Sequence, residues 1–425
     1  MASARMVRWR RESVPGYRAA GFATDIGSCF QPFGHAVTLL ELLFAGDVAA
    51  LREARAALLA SREQGDPELV ARVEAEVAAA PARAIRFDSA GAASVHAAGR
   101  TFAGGVFSLP TCGELGARVA ASTSTSQARR TRKVRLSALA GADALTDVAA
   151  LQASAAPGTL FQVASQFNCL EAPGPHLTDV ASYVSDPTQG PRAAYSAFPG
   201  TLLRHYAAPR DDDGARFVQQ DDGPQLDLLA RALPAALGAV RGGYLRAGDL
   251  RDHAAAARAL RAHTDDIRVG VHQDVEVVFG HDWHGAVALA DGAPRRITQV
   301  LTSTLAGGGY SGRAELTGAL GEVCAALLGA AYLGTLRAAT ALGQHTAVLT
   351  LIGGGVFGNP HALIWDAIAA AVADAASASA AAAGDLHVIV NCHSTLADRA
   401  RVLALVHAHG GQLAEVQRGG AITLA

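Results

Sequence analysis

The sequence predicts an α/β protein in which strands and helices alternate and neighbouring strands pair in parallel. Short apolar segments with strand composition lie at 160–164, 346–352 and 386–391. Long Ala-rich segments at 316–342 and 360–382 are typical of helices. Alternation of this kind indicates a layered fold around a parallel sheet. In such sheets, ligands bind in the loops that follow the carboxyl ends of the strands.

The length of 425 residues indicates two domains, or one domain with large additions. Before residue 80, apolar residues recur at helical spacing, and two strand-like segments follow at 84–88 and 101–107. We therefore expect a mostly helical accessory region with a small β element at 1–125, and the main domain at 140–425. A Ser/Thr-rich stretch at 122–127 predicts a flexible connection between them. The basic run that follows is interpreted as solvated and consists of Arg129, Arg130, Arg132, Lys133 and Arg135.

Composition narrows the classes of function and location. A formal net charge of -2 gives no reason to expect nucleic acid or an anionic membrane as the main partner. No run of about 18 strongly apolar residues is evident, so we expect a soluble protein. The five cysteines are scattered, which argues against a disulfide framework or structural zinc and favours a reducing compartment, the cytoplasm. They are Cys29, Cys112, Cys169, Cys324 and Cys392.

The first polar cluster follows the predicted strand at 160–164. It contains Ser165, Gln166, Asn168 and Glu171. Side-chain amides in this position can bind ribose hydroxyls through paired hydrogen bonds. The alternative, that Asn168 only closes a turn, stands on equal terms.

The second cluster, at 178–191, combines two carboxylates with a stiff turn that contains Gln189, Gly190 and Pro191. A carboxylate near the anomeric carbon of a ribose can orient water or stabilise an oxocarbenium ion. The alternative is structural: Asp179 caps a helix and Asp186 opens a proline turn.

The third cluster is a glycine-rich loop between a strand and a helix. Backbone N–H groups exposed by glycines, together with the helix N-terminus, form a cradle for phosphate. No Lys-Ser/Thr pair follows the glycines, which excludes a Walker loop. The alternative is a turn that lets helix and strand pack closely. The residues expected to line the cradle are Gly353, Gly354, Gly355, Val356, Phe357, Gly358 and Asn359. A fourth loop, at 306–312, either flanks the same pocket or only turns the chain.

A metal site is not expected. His272, His281, Asp282 and His284 lie close together in sequence, but in a chain with 15 histidines such residues are more often on the surface.

Together these loops resemble the macrodomain superfamily, which includes ADP-ribose readers and hydrolases such as the poly(ADP-ribose) glycohydrolases. An Asp followed by an aliphatic residue occurs at Asp147, and a strand ending in Ala and Asn occurs at 161–168. The most specific match is Gly-Val-Phe-Gly at 355–358 with Pro360 two positions on. The resemblance covers roughly 140–425 and implies a three-layer α/β/α fold with a mixed sheet. Residues 1–125 lie outside it.

The resemblance also implies roles for individual residues. Asp147 would contact the adenine, Asn168 the distal ribose, and the loop at 353–358 the diphosphate, with Phe357 packed against the ribose side of the ligand. The chain departs from the family's catalytic loop, so the acid role does not transfer. We expect Asp179 and Asp186 to be the catalytic carboxylates, with Glu171 as the third candidate.

The sequence therefore favours an ADP-ribosyl hydrolase that acts on ADP-ribosylated proteins without a cofactor. Arginine-linked mono-ADP-ribose is the favoured substrate, because clustered carboxylates suit a guanidinium. One alternative is a non-catalytic reader of ADP-ribose or a related nucleotide. Another is an enzyme with Cys169 as nucleophile and His176 or His205 as base, although a free cysteine is more often a small buried hydrophobe.

Overall fold

A computed structural model describes residues 39–61, 66, 68–124, 133–210, 215–281, 287–289, 295–378, 384–393 and 396–425. Within these residues, eleven strands form one sheet in the order β1-β2-β3-β8-β11-β5-β12-β13-β4-β14-β15. Four further strands form two separate pairs, β6 with β7 and β9 with β10. The fifteen described strands are β1 (Ile85–Phe87), β2 (Ala93–Ala97), β3 (Arg100–Ser108), β4 (Val134–Gly141), β5 (Thr159–Ala164), β6 (Ala208–Pro209), β7 (Arg216–Phe217), β8 (Gly270–Val277), β9 (Phe279–His281), β10 (Val287–Leu289), β11 (Arg295–Thr302), β12 (Thr346–Thr350), β13 (Leu386–His393), β14 (Leu413–Val416) and β15 (Ile422–Leu424).

The centre of the sheet is parallel and its flanks are antiparallel. From β11 through β5, β12, β13 and β4 to β14, each strand pairs in parallel with the next. The pairings of β1 with β2, β2 with β3, β3 with β8, β8 with β11 and β14 with β15 are antiparallel. The predicted layered α/β fold with a mixed sheet is thereby confirmed.

Helices cover both faces of this sheet. They are α1 (Leu39–Ala45), α2 (Val48–Ser61), α3 (Glu68–Ala79), α4 (Pro81–Ala84), α5 (Cys112–Ser124), α6 (Val148–Ala153), α7 (Gln189–Ser196), α8 (Phe198–Tyr206), α9 (His253–Ala262), α10 (Gly318–Ala341), α11 (His361–Ser377) and α12 (Arg399–Ala408). In the described part of the chain, five short 3-10 helices lie at Ala144–Thr146, Val180–Ser185, Ala247–Asp249, Thr264–Asp266 and Gly308–Ser311.

The central strands are apolar on both sides because each side faces a helical layer. In β13, Val388 and Val390 belong to the core formed with α10, α11 and α12, whereas Ile389 belongs to the core formed with α1, α2 and α6. Leu160 and Phe161 of β5 divide between the same two cores. This period of two gives the three-layer arrangement.

The N-terminal part of the chain shares the sheet with the rest. β3 pairs with β8, so the sheet continues from β1 into the parallel centre. The proposed boundary between 1–125 and 140–425 thus lies within one sheet. α5 continues to Ser124, so the first residues of the expected flexible stretch are helical. The rest of that stretch and most of the basic run lie outside the described residues, but Arg135 is half-buried in β4.

One helix corrects an expectation drawn from composition. α10 is long and apolar enough to cross a membrane by length and composition alone, contrary to the sequence-based reading that no such run exists. Of its most apolar stretch, 72% is buried inside the protein. The apolar surface of α10 therefore packs against the sheet and its neighbouring helices.

Two glycines test how tightly β3 packs against β8. Gly105 and Gly91 have nearly equal left-handed φ angles of +80° and +81°. A Cβ on Gly105 would lie 2.2 Å from the Gln273 carbonyl oxygen of β8, whereas one on Gly91 would meet nothing within 4 Å. Both alanine variants carry the left-handed cost of about 1–2 kcal/mol, and we expect Gly105→Ala to lose at least about 2 kcal/mol more from the clash. Urea unfolding measures this, and equal losses would show that β3 and β8 do not pack as described.

Candidate active site

The candidate site lies at the carboxyl edge of the parallel strands. The N–H of Ser165, after β5, donates to the Thr302 carbonyl at the end of β11 (3.0 Å). Asn359, after β12, donates from Nδ2 to the Leu305 carbonyl (2.9 Å) and accepts from Thr304 Oγ1 at Oδ1 (3.1 Å). Three loops from three adjacent strands are thus bound together at one edge.

The glycine loop has a packed base and an open rim. Gly353 has a φ of +70°, and a Cβ there would lie 2.4 Å from Thr304 Cγ2, so only glycine fits. Gly355 has nothing within 4 Å of a Cβ position, and Val356 is 66% exposed. Asn359 is buried at the base. The rim at 354–356 is therefore the part of the loop that a ligand can reach.

Three aromatic rings stand beside the loop and form what we term the aromatic cluster: Tyr244, Tyr310 and Phe357. Tyr244 stacks on Tyr310 with ring centroids 5.1 Å apart, and Phe357 meets the two rings edge-on at 6.0 and 5.2 Å. The Arg246 guanidinium lies 4.8 Å from the centroid of the Tyr244 ring. Sequence reasoning missed Tyr244 and Arg246, although Gly242 and Gly243 directly precede Tyr244 and could have marked this segment as a loop. Tyr310 stands in the fourth loop, next to three glycines, and that pattern could have identified it.

The two amides expected to bind ribose are buried and used within their own loop. Gln166 donates from Nε2 to the Tyr244 hydroxyl and to the Ala172 carbonyl (both 3.1 Å), and accepts from the Ala172 N–H. Asn168 accepts from the Leu170 N–H (3.0 Å) and donates to Gln225. Neither side chain is more than 3% exposed. Asn168 thus closes a turn in this structure, which was the alternative to ribose binding. Gln166 links its loop to Tyr244 of the aromatic cluster.

Glu171 lies in the loop after β5, with its carboxylate against the start of α7. It is half-buried, and burial first and the nearby Asp186 second raise its pKa well above the usual carboxyl value. A Cβ on Gly190 would lie 2.1 Å from Glu171 Oε1, so the carboxylate rests directly on the backbone at the start of α7. The pKa of the Tyr244 hydroxyl is raised by burial, by Tyr310 and by the Glu171 charge. Gln166 links the neighbouring Ala172 to Tyr244 of the aromatic cluster by hydrogen bonds.

The charge of Asp186 helps to raise the pKa of Glu171, whereas the charge of Asp179 acts on other groups. Asp186 accepts hydrogen bonds from the N–H (2.7 Å) and hydroxyl (2.5 Å) of Thr188. Asp179 is exposed, precedes the 3-10 helix Val180–Ser185 and makes no side-chain cap to it. Its charge acts on the pKa values of Glu74, His205 and Tyr206. The charge of Asp186 thus acts on Glu171, whereas that of Asp179 acts on groups of α3 and α8, and the catalytic roles of the three carboxylates stay predictions.

Asp147 is a helix cap and ion-pair partner. Its side chain is fully buried, accepts from the Ala149 N–H (2.9 Å) and forms a short salt bridge with Arg192 of α7. Gln189 accepts the Val148 N–H (2.7 Å) and donates to Asp147. Because these groups already satisfy one another, they join α6 to α7. They do not present Asp147 to a nucleotide base, as the adenine role requires.

The geometry opposes Cys169 as a nucleophile. Its thiol is fully buried, and burial raises its pKa to about 12, so little thiolate is available. His176 is exposed and lies 3.4 Å from Asp221, and burial lowers the pKa of His205. The Cys169 carbonyl accepts from Nε of the buried Arg204 (2.9 Å), so this segment is held by a structural contact that sequence reasoning did not identify.

Of the group named for a metal site, His272 is the member whose side chain is described. His272 is fully buried, bonded to Arg204 (2.8 Å) and to the Gly104 carbonyl (2.6 Å). Asp282, His284 and the side chain of His281 lie outside the described residues. Within the described part of the chain, no three His, Cys, Asp or Glu residues form a group that could hold a metal ion.

Two surface concavities of the described residues lie away from this edge. One, of about 930 Å³, runs between α10 and α11, and the other, of about 510 Å³, lies around Arg135 and His407. None of the site residues above lines either of them.

Comparison with known proteins finds similarity among solved structures. No family model matches the chain, and no curated protein matches it in sequence. The chain is similar to poly(ADP-ribose) glycohydrolase from Deinococcus radiodurans in complex with ADP-ribose, at 13% identity, covering 71% of this chain and 93% of that one, with a TM-score of 0.36. It is also similar to poly(ADP-ribose) glycohydrolase from Thermomonospora curvata, at 14% identity, covering 81% and 98%, with a TM-score of 0.33. With TM-scores below 0.5, the function has to follow from the chain's own residues.

The raised pKa of Glu171 predicts a gain in stability when its charge is removed. A carboxyl whose pKa is higher in the folded than in the unfolded protein stabilises the fold below its ordinary pKa and loses that contribution as the pH rises through the raised value. The neutral Glu171→Gln keeps the contribution at all pH values. We expect a Tm a few degrees above wild type at pH 8, with the gap closing towards pH 4. Calorimetry measures it, with Glu53→Gln, an exposed site on α2, as the control. A lower Tm for Glu171→Gln at pH 8 would contradict the burial described.

Proposed function

We propose that this protein is an ADP-ribosyl hydrolase. The observation that carries the proposal is the position of Glu171: a carboxyl with a raised pKa, resting on Gly190 beside Asp186, at the same sheet edge as the glycine loop. Paired carboxyls with different environments are the usual acid and base equipment for cleaving glycosidic bonds. The similarity to glycohydrolase structures agrees with the proposed hydrolase function, but the proposal does not rest on that similarity.

The proposal gives each part of the site a role. The diphosphate lies on the rim at 354–356, where backbone N–H groups and the start of α11 favour an anion. The aromatic cluster provides apolar faces against which a ribose or base can pack. Glu171, whose pKa is raised by burial and by Asp186, donates a proton from its protonated form to the group leaving the distal ribose. The Asp186 carboxylate stabilises the positive charge that develops on the ribose; water then bonds to the anomeric carbon from which the group has left, and its proton returns to Glu171.

The substrate proposed is a protein carrying mono-ADP-ribose on arginine. An arginine leaving group is a guanidinium, which carboxylates such as Glu171 and Asp186 accommodate well. Two carboxyls are sufficient for the chemistry, so we propose that no metal or other cofactor is required. We also propose a cytoplasmic location: the cysteines within the described residues, Cys112, Cys169, Cys324 and Cys392, are free thiols.

Binding of ADP-ribose is tested at the open rim. Gly355→Glu introduces a carboxylate where a Cβ meets nothing within 4 Å, so the variant folds. We expect wild type to bind ADP-ribose in the micromolar range by isothermal titration calorimetry. We expect Gly355→Glu to weaken binding by about 100-fold or more, because like charges held together cost several kcal/mol. Gly329→Glu, an equally open position on α10, is the control and binds as wild type. No binding by wild type would overturn the ADP-ribose proposal.

Catalysis is tested by release of ADP-ribose from an arginine-modified protein in the presence of EDTA. We expect Glu171→Gln to lower kcat by about 100-fold or more, as for loss of a general acid. Asp186→Asn removes the charge that helps raise the pKa of Glu171, so the alkaline limb of the kcat profile moves to lower pH. Asp179→Asn keeps wild-type kcat. Binding without hydrolysis by wild type would identify a reader instead, and loss of activity only in Asp179→Asn would reverse the carboxylate assignment.

A further inference from the structure

A buried carboxylate on α3 makes three hydrogen bonds to parts of the chain more than 100 residues away. Glu74 is 4% exposed. Its Oε1 accepts from the Val180 N–H (2.8 Å) and from the Tyr206 hydroxyl (3.0 Å), and its Oε2 accepts from the Ala181 N–H (2.8 Å). The two backbone donors belong to the first turn of the 3-10 helix Val180–Ser185.

This arrangement replaces a missing helix cap. The first N–H groups of a helix have no partner within it and are usually satisfied by the preceding side chain. Asp179 occupies that position but gives no side-chain cap. Glu74 supplies both acceptor oxygens from another element, so α3 acts as the cap of a turn distant in sequence.

The capped turn leads directly to the two carboxyls of the proposed site. It ends at Asp186, whose N–H donates to the Tyr183 carbonyl (3.2 Å). α7 begins three residues later, with Gly190 against Glu171. The separation of Asp186 from Glu171 therefore depends on where this turn is held.

We propose that Glu74 is a positioning residue for hydrolysis: by capping the turn at 180–185 it holds Asp186 beside Glu171, and the N-terminal helical region is thereby part of the catalytic unit. The proposal rests on the proposed function for its kinetic consequence. Its structural consequence, an ordered segment at 182–192, is independent of that function.

The chain offers a matched pair of variants on one helix. Glu74→Gln keeps the side-chain volume but sets an amide NH2 group against the Ala181 N–H, donor against donor. Glu76, on the exposed side of α3, also accepts a backbone N–H, from Ala98 (3.0 Å), so Glu76→Gln makes the same chemical change away from the turn.

The test combines hydrogen–deuterium exchange, ADP-ribose binding by calorimetry and hydrolysis kinetics. For Glu74→Gln we expect faster exchange in peptides covering 182–192 and unchanged exchange in those covering 346–360. We also expect unchanged Kd and KM and a fall in kcat of about 10- to 100-fold, since a displacement on the order of 1 Å suffices for that. The alkaline limb of the kcat profile moves to lower pH, because Asp186 acts less strongly on Glu171. Glu76→Gln matches wild type throughout.

The outcomes separate the two proposals. Unchanged exchange at 182–192 in Glu74→Gln, or a kcat equal to that of Glu76→Gln, overturns the role of Glu74. If wild type releases no ADP-ribose, the proposed function fails, and the exchange measurement alone decides whether Glu74 holds the turn. If Glu74→Gln unfolds, Glu74→Asp takes its place, since it retains both acceptor oxygens on a shorter arm. A lowered kcat with unchanged Kd then supports the role, and wild-type kcat despite faster exchange overturns it.

Discussion

The parallel pairing of β5 with β11 on one side and β12 on the other is the constraint on which the candidate site depends. Its register places Ala164 opposite Thr302, so the loops after β5 and β11 leave the sheet at the same level. Asn359 then joins the loop after β12 to the one after β11 through Thr304 and Leu305. Because the strand ends are fixed by main-chain hydrogen bonds, a glycine loop, an aromatic cluster and a carboxyl pair from distant parts of the sequence meet at one edge.

Buried polar side chains at this edge of the sheet form hydrogen bonds and ion pairs with other groups of the protein. Gln166 bonds the two ends of its own loop and the hydroxyl of Tyr244. Asp147 is similarly occupied by Arg192 and Gln189 of α7. An unpaired polar group in such a position would cost on the order of 1–3 kcal/mol, so these contacts are maintained. Gln166 and Asp147, which the motifs predicted to bind ligand, therefore hold neighbouring segments together. The groups proposed to contact a ligand are Glu171, the glycine rim and the aromatic rings.

The N-terminal segment contributes to the same organisation. β3 extends the sheet through β8, and α3 supplies the carboxylate that caps the turn at 180–185. Glu74 has a raised pKa, with burial as the main cause, so it is a costly residue to bury, and its three hydrogen bonds offset part of that cost. A region that resembles no known family by sequence is thus joined to the site by specific contacts.

The sequence by itself determined the class of fold and the main loops. Helices α10 and α11, strands β5, β12 and β13 and the glycine loop all follow from local patterns: apolar periodicity, β-branched runs and glycines at a strand end. The spacing of apolar residues within one helix or strand depends only on neighbouring residues, so it can be recognised without knowledge of the rest of the chain. The residue types of the site were also identifiable, because a carboxyl-rich segment after a strand is visible in one dimension.

Only the tertiary structure decided which of those residues act together. Asp179, Asp186 and Glu171 are all carboxylates that follow β5 in sequence, and the sequence does not distinguish them. In the fold, Asp179 acts on groups of α3 and α8, whereas Asp186 and Glu171 lie near the start of α7. The contacts of Tyr244 with Tyr310 and of Glu74 with Val180 join residues 66 and 106 positions apart, so no local pattern predicts either pairing. Burial, pKa and distance depend on partners brought together by folding, and no spacing along the chain records them.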